Sequence, residues 1–167
     1  MIKNFNYIFV TFFGIGTIRY APGTITSLIT TVLLYSFFHI INFSNEVILF
    51  FLLAIFLYSF YAVADYIKDS DNKDPKEVVI DEVIGQSIPI YLYEIAHGSE
   101  KNSQEIMLFY IYIFILFRFF DIKKPFPVSF FDKNFKNSFG VIMDDVCAGL
   151  YVVLSLICFM VLSSYLI

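Results

Sequence analysis

The sequence predicts an all-α fold, a small polytopic helical bundle in a membrane whose motif loops and helix ends gather at the cytoplasmic face. Three observations predict it. Of 167 residues, 59% are hydrophobic and only 16% charged, and the mean hydropathy is +0.75. Several apolar runs approach the roughly 20 residues that a bilayer core requires. Polar residues concentrate in three segments, 19–27, 65–86 and 118–145, as expected where the chain leaves hydrocarbon.

The elements follow in order within a single domain, 1–167. Residues 1–20 lack the charged start and small-residue cleavage site of a secretory signal and read as an interfacial helix. Spans are expected at 24–41, 47–64 and 146–167. Two shorter runs, 83–96 and 106–120, would reach only about 21 to 23 Å as helices, as short spans or as a re-entrant pair. Either choice returns the chain to the same side, because the polar stretch 97–105 lies between them as a turn. Lys3, Arg19, Lys68, Lys73, Lys76, Arg118, Lys123, Lys124, Lys133 and Lys136 then share one side, with Lys101 alone opposite. The positive-inside rule makes that shared side cytoplasmic.

Other classes fit poorly. Cys147 and Cys158 lie within the last apolar run, so a disulfide framework is not expected. A net charge of -4 gives no sign of nucleic-acid binding.

Two acidic doublets, Asp81-Glu82 and Asp144-Asp145, each head an apolar run. Carboxylates beside hydrocarbon are costly and need a reason. If the runs are helices, the doublets sit where the positive dipole end favours them. Their oxygens suit a hard divalent cation. Gly85 and Gln86, one turn on, offer close helix approach and an amide donor.

The remaining polar residues have two readings each. In Arg19-Tyr20-Ala21-Pro22-Gly23-Thr24-Ile25-Thr26-Ser27, Thr24 and Ser27 suit a helix start, where hydroxyls satisfy free N–H groups. Alternatively Arg19, Thr24, Ser27 and those N–H groups hold an anionic oxygen such as phosphate. Arg118 and Asp121, three apart, share a helix face as an ion pair. Pro125 and Pro127 hold Lys123 and Lys124 near the membrane surface, as topology determinants or as phosphate ligands.

Metal-assisted hydrolysis needs oxygen ligands from separate elements and cations against developing phosphate charge, and this chain supplies both on one expected side. Competing chemistries lack their parts. There is no Cys-x5-Arg loop and no Walker-type Gly-x4-Gly-Lys-Ser/Thr, and Asp69-Ser70-Asp71 lacks the apolar strand expected before a haloacid-dehalogenase nucleophile. Neither His39 nor His97 is placed for general-base work. A divalent-cation or small-solute transporter is the alternative, although no carboxylate lies mid-span to carry an ion across. A transferase using CDP-activated alcohols would need an Asp-Gly-x2-Ala-Arg pattern, which is absent.

Four ordered blocks complete the pattern. They are Ala21-Pro22-Gly23-Thr24; Lys73-Asp74-Pro75 with Val79-Ile80-Asp81-Glu82-Val83-Ile84-Gly85-Gln86; Phe117-Arg118-Phe119-Phe120-Asp121-Ile122-Lys123-Lys124-Pro125-Phe126-Pro127; and Gly140-Val141-Ile142-Met143-Asp144-Asp145-Val146-Cys147-Ala148-Gly149. Together they resemble the phosphatidylglycerophosphatase A family over nearly the whole chain. Thr26 stands where the family usually has a second glycine, and Asn137-Ser138 where it tends to carry a Gly-Gly pair.

The resemblance implies a Mg²⁺-dependent, multi-pass enzyme of the bacterial inner membrane, active at the cytoplasmic face. It would remove the terminal phosphate of phosphatidylglycerophosphate. On that reading Asp81, Glu82, Asp144 and Asp145 bind one or two Mg²⁺ ions. Arg118 and Lys124 stabilise phosphoryl oxygens. Asp121 orients Arg118 or serves as base, and Asp74 is a further ligand or a structural cap.

Overall fold

The computed structural model describes residues 2–68, 72, 75–97 and 103–166. Among these are seven α-helices and one 3₁₀ turn, with no strand: α1 Ile2–Val10, α2 Pro22–His39, α3 Asn45–Ile67, α4 Ile80–His97, α5 Ser103–Lys123, α6 Val128–Asn134 and α7 Ser138–Leu166. The five long helices run alternately up and down. The starts of α2, α4 and α7 meet the ends of α3 and α5 at one end of the bundle.

Local chemistry accounts for the helix boundaries. α2 begins at Pro22, which needs no amide partner in a first turn, and its capping residue Ala21 takes a left-handed φ of 46°. Thr24 and Ser27 are therefore inside the helix rather than caps. The Ser27 hydroxyl donates to the Gly23 carbonyl at 2.9 Å. Asp81 and Glu82 occupy the first turn of α4, where the helix dipole favours carboxylates. The second doublet does not share that position, because α7 already starts at Ser138. There the Asn137 side chain accepts from the Gly140 amide at 3.1 Å, so Asp144 and Asp145 lie beyond the turn over which the dipole acts.

The two shorter apolar runs belong to longer helices. Including their polar ends, α4 has 18 residues and α5 has 21, or about 27 and 32 Å at 1.5 Å per residue. Apolar length alone understated them, since both carry polar residues in their terminal turns. α3 and the 138–162 part of α7 are long and apolar enough to cross a membrane. Their outer faces carry exposed side chains such as Phe50, Leu57 and Leu162. So much exposed hydrocarbon fits lipid rather than water.

Two apolar clusters hold the bundle together. One joins Val10 of α1 and Ala62, Val63 and Ile67 of α3 to Ile80 of α4 and Ile142 of α7. The other joins Leu34 of α2, Ile90 and Tyr93 of α4, Ile113 and Phe117 of α5 and Val152 of α7. α1 is tied to α3 by polar contacts as well. The Asn6 amide donates to Asp65 at 2.7 Å, and the Tyr58 hydroxyl donates to Asn6 at 2.6 Å.

α4 and α7 cross where both carry glycine. A Cβ on Gly149 would fall 2.5 Å from the Gly85 carbonyl oxygen, and one on Gly85 would fall 2.6 Å from that of Asp145. Only two residues without side chains let these backbones approach so closely. That approach brings the two acidic doublets side by side.

Candidate active site

Where the helix ends meet, a cavity of about 380 Å³ is walled by the start of α2, residues 75–78, the head of α4, the end of α5 and Asp144-Asp145 of α7. One carboxylate oxygen from each of Asp81, Glu82 and Asp145 lies within 4.8 Å of the others. Asp81 and Asp145 are buried. One oxygen of Glu82 and one of Asp145 have no hydrogen-bond partner among the described residues although both are buried. Buried anionic oxygens this close together repel one another unless a proton or a cation intervenes. The all-oxygen donor set, with two oxygens unsatisfied, fits a hard divalent cation.

Backbone geometry shapes this cluster. Asp81 Oδ1 accepts from the Glu82 amide at 3.2 Å. Gly23 lets α2 press against Glu82, since a Cβ there would lie 1.9 Å from Glu82 Oε1.

Asp144 faces another way. Its Oδ1 accepts from the Asp145 amide at 3.0 Å, and its Oδ2 lies 2.8 Å from Lys124 Nζ. Lys124 also reaches Asp132 of α6 at 2.7 Å. Burial alone would lower the Lys124 pKa, but Asp144 and Asp132 outweigh it and hold the ammonium above the usual lysine range.

Arg118 is the second cation of the wall. Its Nη1 lies 2.8 Å from Asp121 and 4.0 Å from Glu82, and donates to Ser27 Oγ at 3.3 Å. The expected Arg118–Asp121 pairing is present. Ser27 is buried and connects Arg118 to the α2 backbone. Thr24 lines the cavity directly.

Arg19 and Lys123 are exposed and not among the cavity-lining residues. The Arg19 guanidinium lies over the Tyr20 ring, 5.7 Å from its centroid. Asp74 falls outside the described residues. Two contributors carry no expectation from sequence, Lys76 in the cavity wall and Asp132 as the partner of Lys124, while Ser27, expected at the phosphate, accepts from Arg118. Asp132 carries no signal, because residues eight apart on one helix are about 12 Å apart along its axis, and the contact arises only because the chain turns between α5 and α6.

Both histidines lie away from this cavity. His39 Nε2 is 3.0 Å from buried Glu94 at the other end of α2 and α4, and His97 closes α4.

A buried acid cluster flanked by an Arg and a Lys, at the helix ends of a lipid-exposed bundle, has the parts required for phosphate chemistry on a membrane-anchored substrate. Comparison with known proteins narrows the class. The sequence profile of Phosphatidylglycerophosphatase A matches residues 8–160. A Phosphatidylglycerophosphatase A of Haemophilus influenzae is 35% identical over 142 residues, 85% of this chain and 80% of that protein. A Putative phosphatidylinositol-3-phosphatase of Bacteroides thetaiotaomicron is 32% identical over 142 residues, 84% of each chain. The Phosphatidylglycerophosphatase A of Escherichia coli is 42% identical over 36 residues, 22% of this chain and 21% of that protein. No solved structure matches.

The chain belongs to the phosphatidylglycerophosphatase A family. It is a membrane-associated lipid phosphatase.

Proposed function

We propose that the enzyme hydrolyses phosphatidylglycerophosphate to phosphatidylglycerol and inorganic phosphate in a Mg²⁺-dependent reaction at the cytoplasmic face of the bacterial inner membrane. The observation that carries this reading is the convergence of Asp81, Glu82 and Asp145, with unpartnered buried oxygens, in a chain of this family.

Asp81, Glu82 and Asp145 would hold Mg²⁺, with Asp144 behind them in the cavity wall. When bound, the ion neutralises phosphate charge and lowers the pKa of water. Arg118 would donate to the phosphoryl oxygens as charge develops on them, with Asp121 and Ser27 holding its guanidinium in orientation. Lys124, fixed between Asp132 and Asp144, adds positive charge to the same cavity. Thr24 and the first turn of α2 offer further donors. A water oxygen attacks phosphorus, the bond to the glycerol oxygen breaks, and that oxygen takes up a proton. Asp121, which lines the same cavity, would take the proton from water. The exposed Arg19 and Lys123 act on the anionic membrane surface rather than on the reacting phosphate.

Phosphate release from purified protein tests the reading. The panel contains phosphatidylglycerophosphate, phosphatidylinositol 3-phosphate and soluble phosphomonoesters, each with and without EDTA. Release from phosphatidylglycerophosphate, abolished by EDTA and restored by Mg²⁺, is expected. Turnover that ignores EDTA would remove the metal from the reading, and preference for phosphatidylinositol 3-phosphate would reassign the substrate. Absence of phosphatase activity with cation uptake into vesicles would favour the transporter.

A further inference from the structure

We propose that Lys76 forms a second anion subsite at the cavity mouth, which binds the internal phosphodiester of the lipid headgroup and so selects phospholipid monoesters over simpler phosphomonoesters. This rests on the substrate class proposed above.

The charges of the cavity wall point to Lys76. Among the described residues five carboxylates line it, those of Asp81, Glu82, Asp121, Asp144 and Asp145, against three cations, Lys76, Arg118 and Lys124. Two of those cations are already committed: Arg118 to Asp121 at 2.8 Å, and Lys124 to Asp132 and Asp144 at 2.7 and 2.8 Å. Lys76 has no carboxylate partner among the described residues. Among the described residues it is therefore the cavity cation able to take an anion without giving up an ion pair.

Depth assigns which anion it takes. Asp81 and Asp145 are buried at the inner end, whereas Lys76 is exposed while still lining the wall. A headgroup entering with its terminal phosphate first brings that phosphate to the acid cluster. Its phosphodiester, nearer the acyl chains, is left at the mouth. A lysine on a long flexible stem suits a singly charged diester, which needs a point charge rather than a bidentate clamp.

The backbone carrying Lys76 is anchored. The Val78 amide donates to the Pro75 carbonyl at 3.0 Å and the Val79 amide to the Val10 carbonyl at 2.9 Å. On the other side Gly16 packs so tightly that a Cβ would lie 2.0 Å from the Glu77 carbonyl oxygen. Val78 and Val79 are buried beside it. The N-terminal helix thereby holds the loop that presents Lys76, an arrangement not needed for a lysine that only decorates the surface.

The test compares wild-type, Lys76→Ala and Lys76→Arg enzymes in detergent–lipid micelles. KM and kcat are measured for phosphatidylglycerophosphate, along with inhibition by inorganic phosphate, which carries no diester. Loss of one charge-assisted contact at an exposed position should raise KM about tenfold in Lys76→Ala. The effect should shrink at high salt, kcat should stay within about twofold, and the phosphate inhibition constant should not move. Lys76→Arg should restore KM. An unchanged KM overturns the proposal. So does an equal rise in the phosphate inhibition constant, which would put Lys76 on the monoester, or a fall in kcat with KM fixed, which would make it catalytic. A wild-type enzyme inactive on phosphatidylglycerophosphate would instead overturn the substrate reading, so the two failures are distinguishable.

Discussion

At Gly23 a single hydrogen in place of a methyl decides whether Glu82 can stand where it does. A Cβ would be 1.9 Å from Glu82 Oε1, well inside contact distance, so the flexible end of the Glu82 side chain would have to move. Gly23→Ala should therefore leave the protein folded, as judged by circular dichroism, yet lower kcat/KM tenfold or more and raise the Mg²⁺ concentration for half-maximal activity. An unaltered Mg²⁺ titration would mean that Glu82 is not a ligand. Lys124 makes a different kind of contribution. It pairs with both Asp132 and the buried Asp144, so Lys124→Met should remove the ammonium they share at a cost of about 1–3 kcal/mol. A thermal midpoint equal to wild type would show that the two aspartates find other partners.

Among the elements, the α4–α7 crossing governs the site. The sequence marks Gly85 as a small residue one turn from the first doublet, and Gly149 closes the last motif block one turn after Asp145. What no pattern in either helix states is that the two glycines face each other. Gly149→Val would push its side chain into the Gly85 carbonyl and separate Asp145 from Asp81. It should destabilise the bundle by about 1–3 kcal/mol through overpacking and abolish phosphate release. Unfolding in detergent with parallel activity assays checks both, and retained activity in a destabilised protein would uncouple the crossing from the metal site. The start of α7 was also illegible from hydropathy. Its first turns, from Ser138, are only partly apolar and are set by the Asn137 cap, so the second doublet reads as a helix head when it lies within the helix.

For the whole molecule, sidedness is the property with the widest consequence. The alternating direction of α2, α3, α4, α5 and α7 places the acidic cavity and α6 at one end, and Asn42 and the His39–Glu94 pair at the other. In a Cys158→Ser background, a cysteine at Asn42 should be labelled by a membrane-impermeant thiol reagent applied from outside intact cells. One at Lys133 should be labelled only after the membrane is opened. The reverse pattern would put the cavity on the outer face, away from the expected cytoplasmic lipid substrate.

By itself the sequence determined the all-helical class, the membrane setting, the family, and the two acidic doublets, Arg118, Asp121 and Lys124 that meet in one cavity. Each of these is written locally, in apolar run length, in charges tolerated beside hydrocarbon, or in motif order. Only the tertiary structure decided the division of labour. Asp145 turns toward Asp81 and Glu82 while Asp144 turns to Lys124, Ser27 props Arg118, and Lys76 is left without a carboxylate partner among the described residues. Neighbours on a helix point about 100° apart, so adjacent aspartates are equivalent in sequence but face different surroundings. Which surroundings those are depends on contacts between helices far apart in the chain, and local spacing does not encode them.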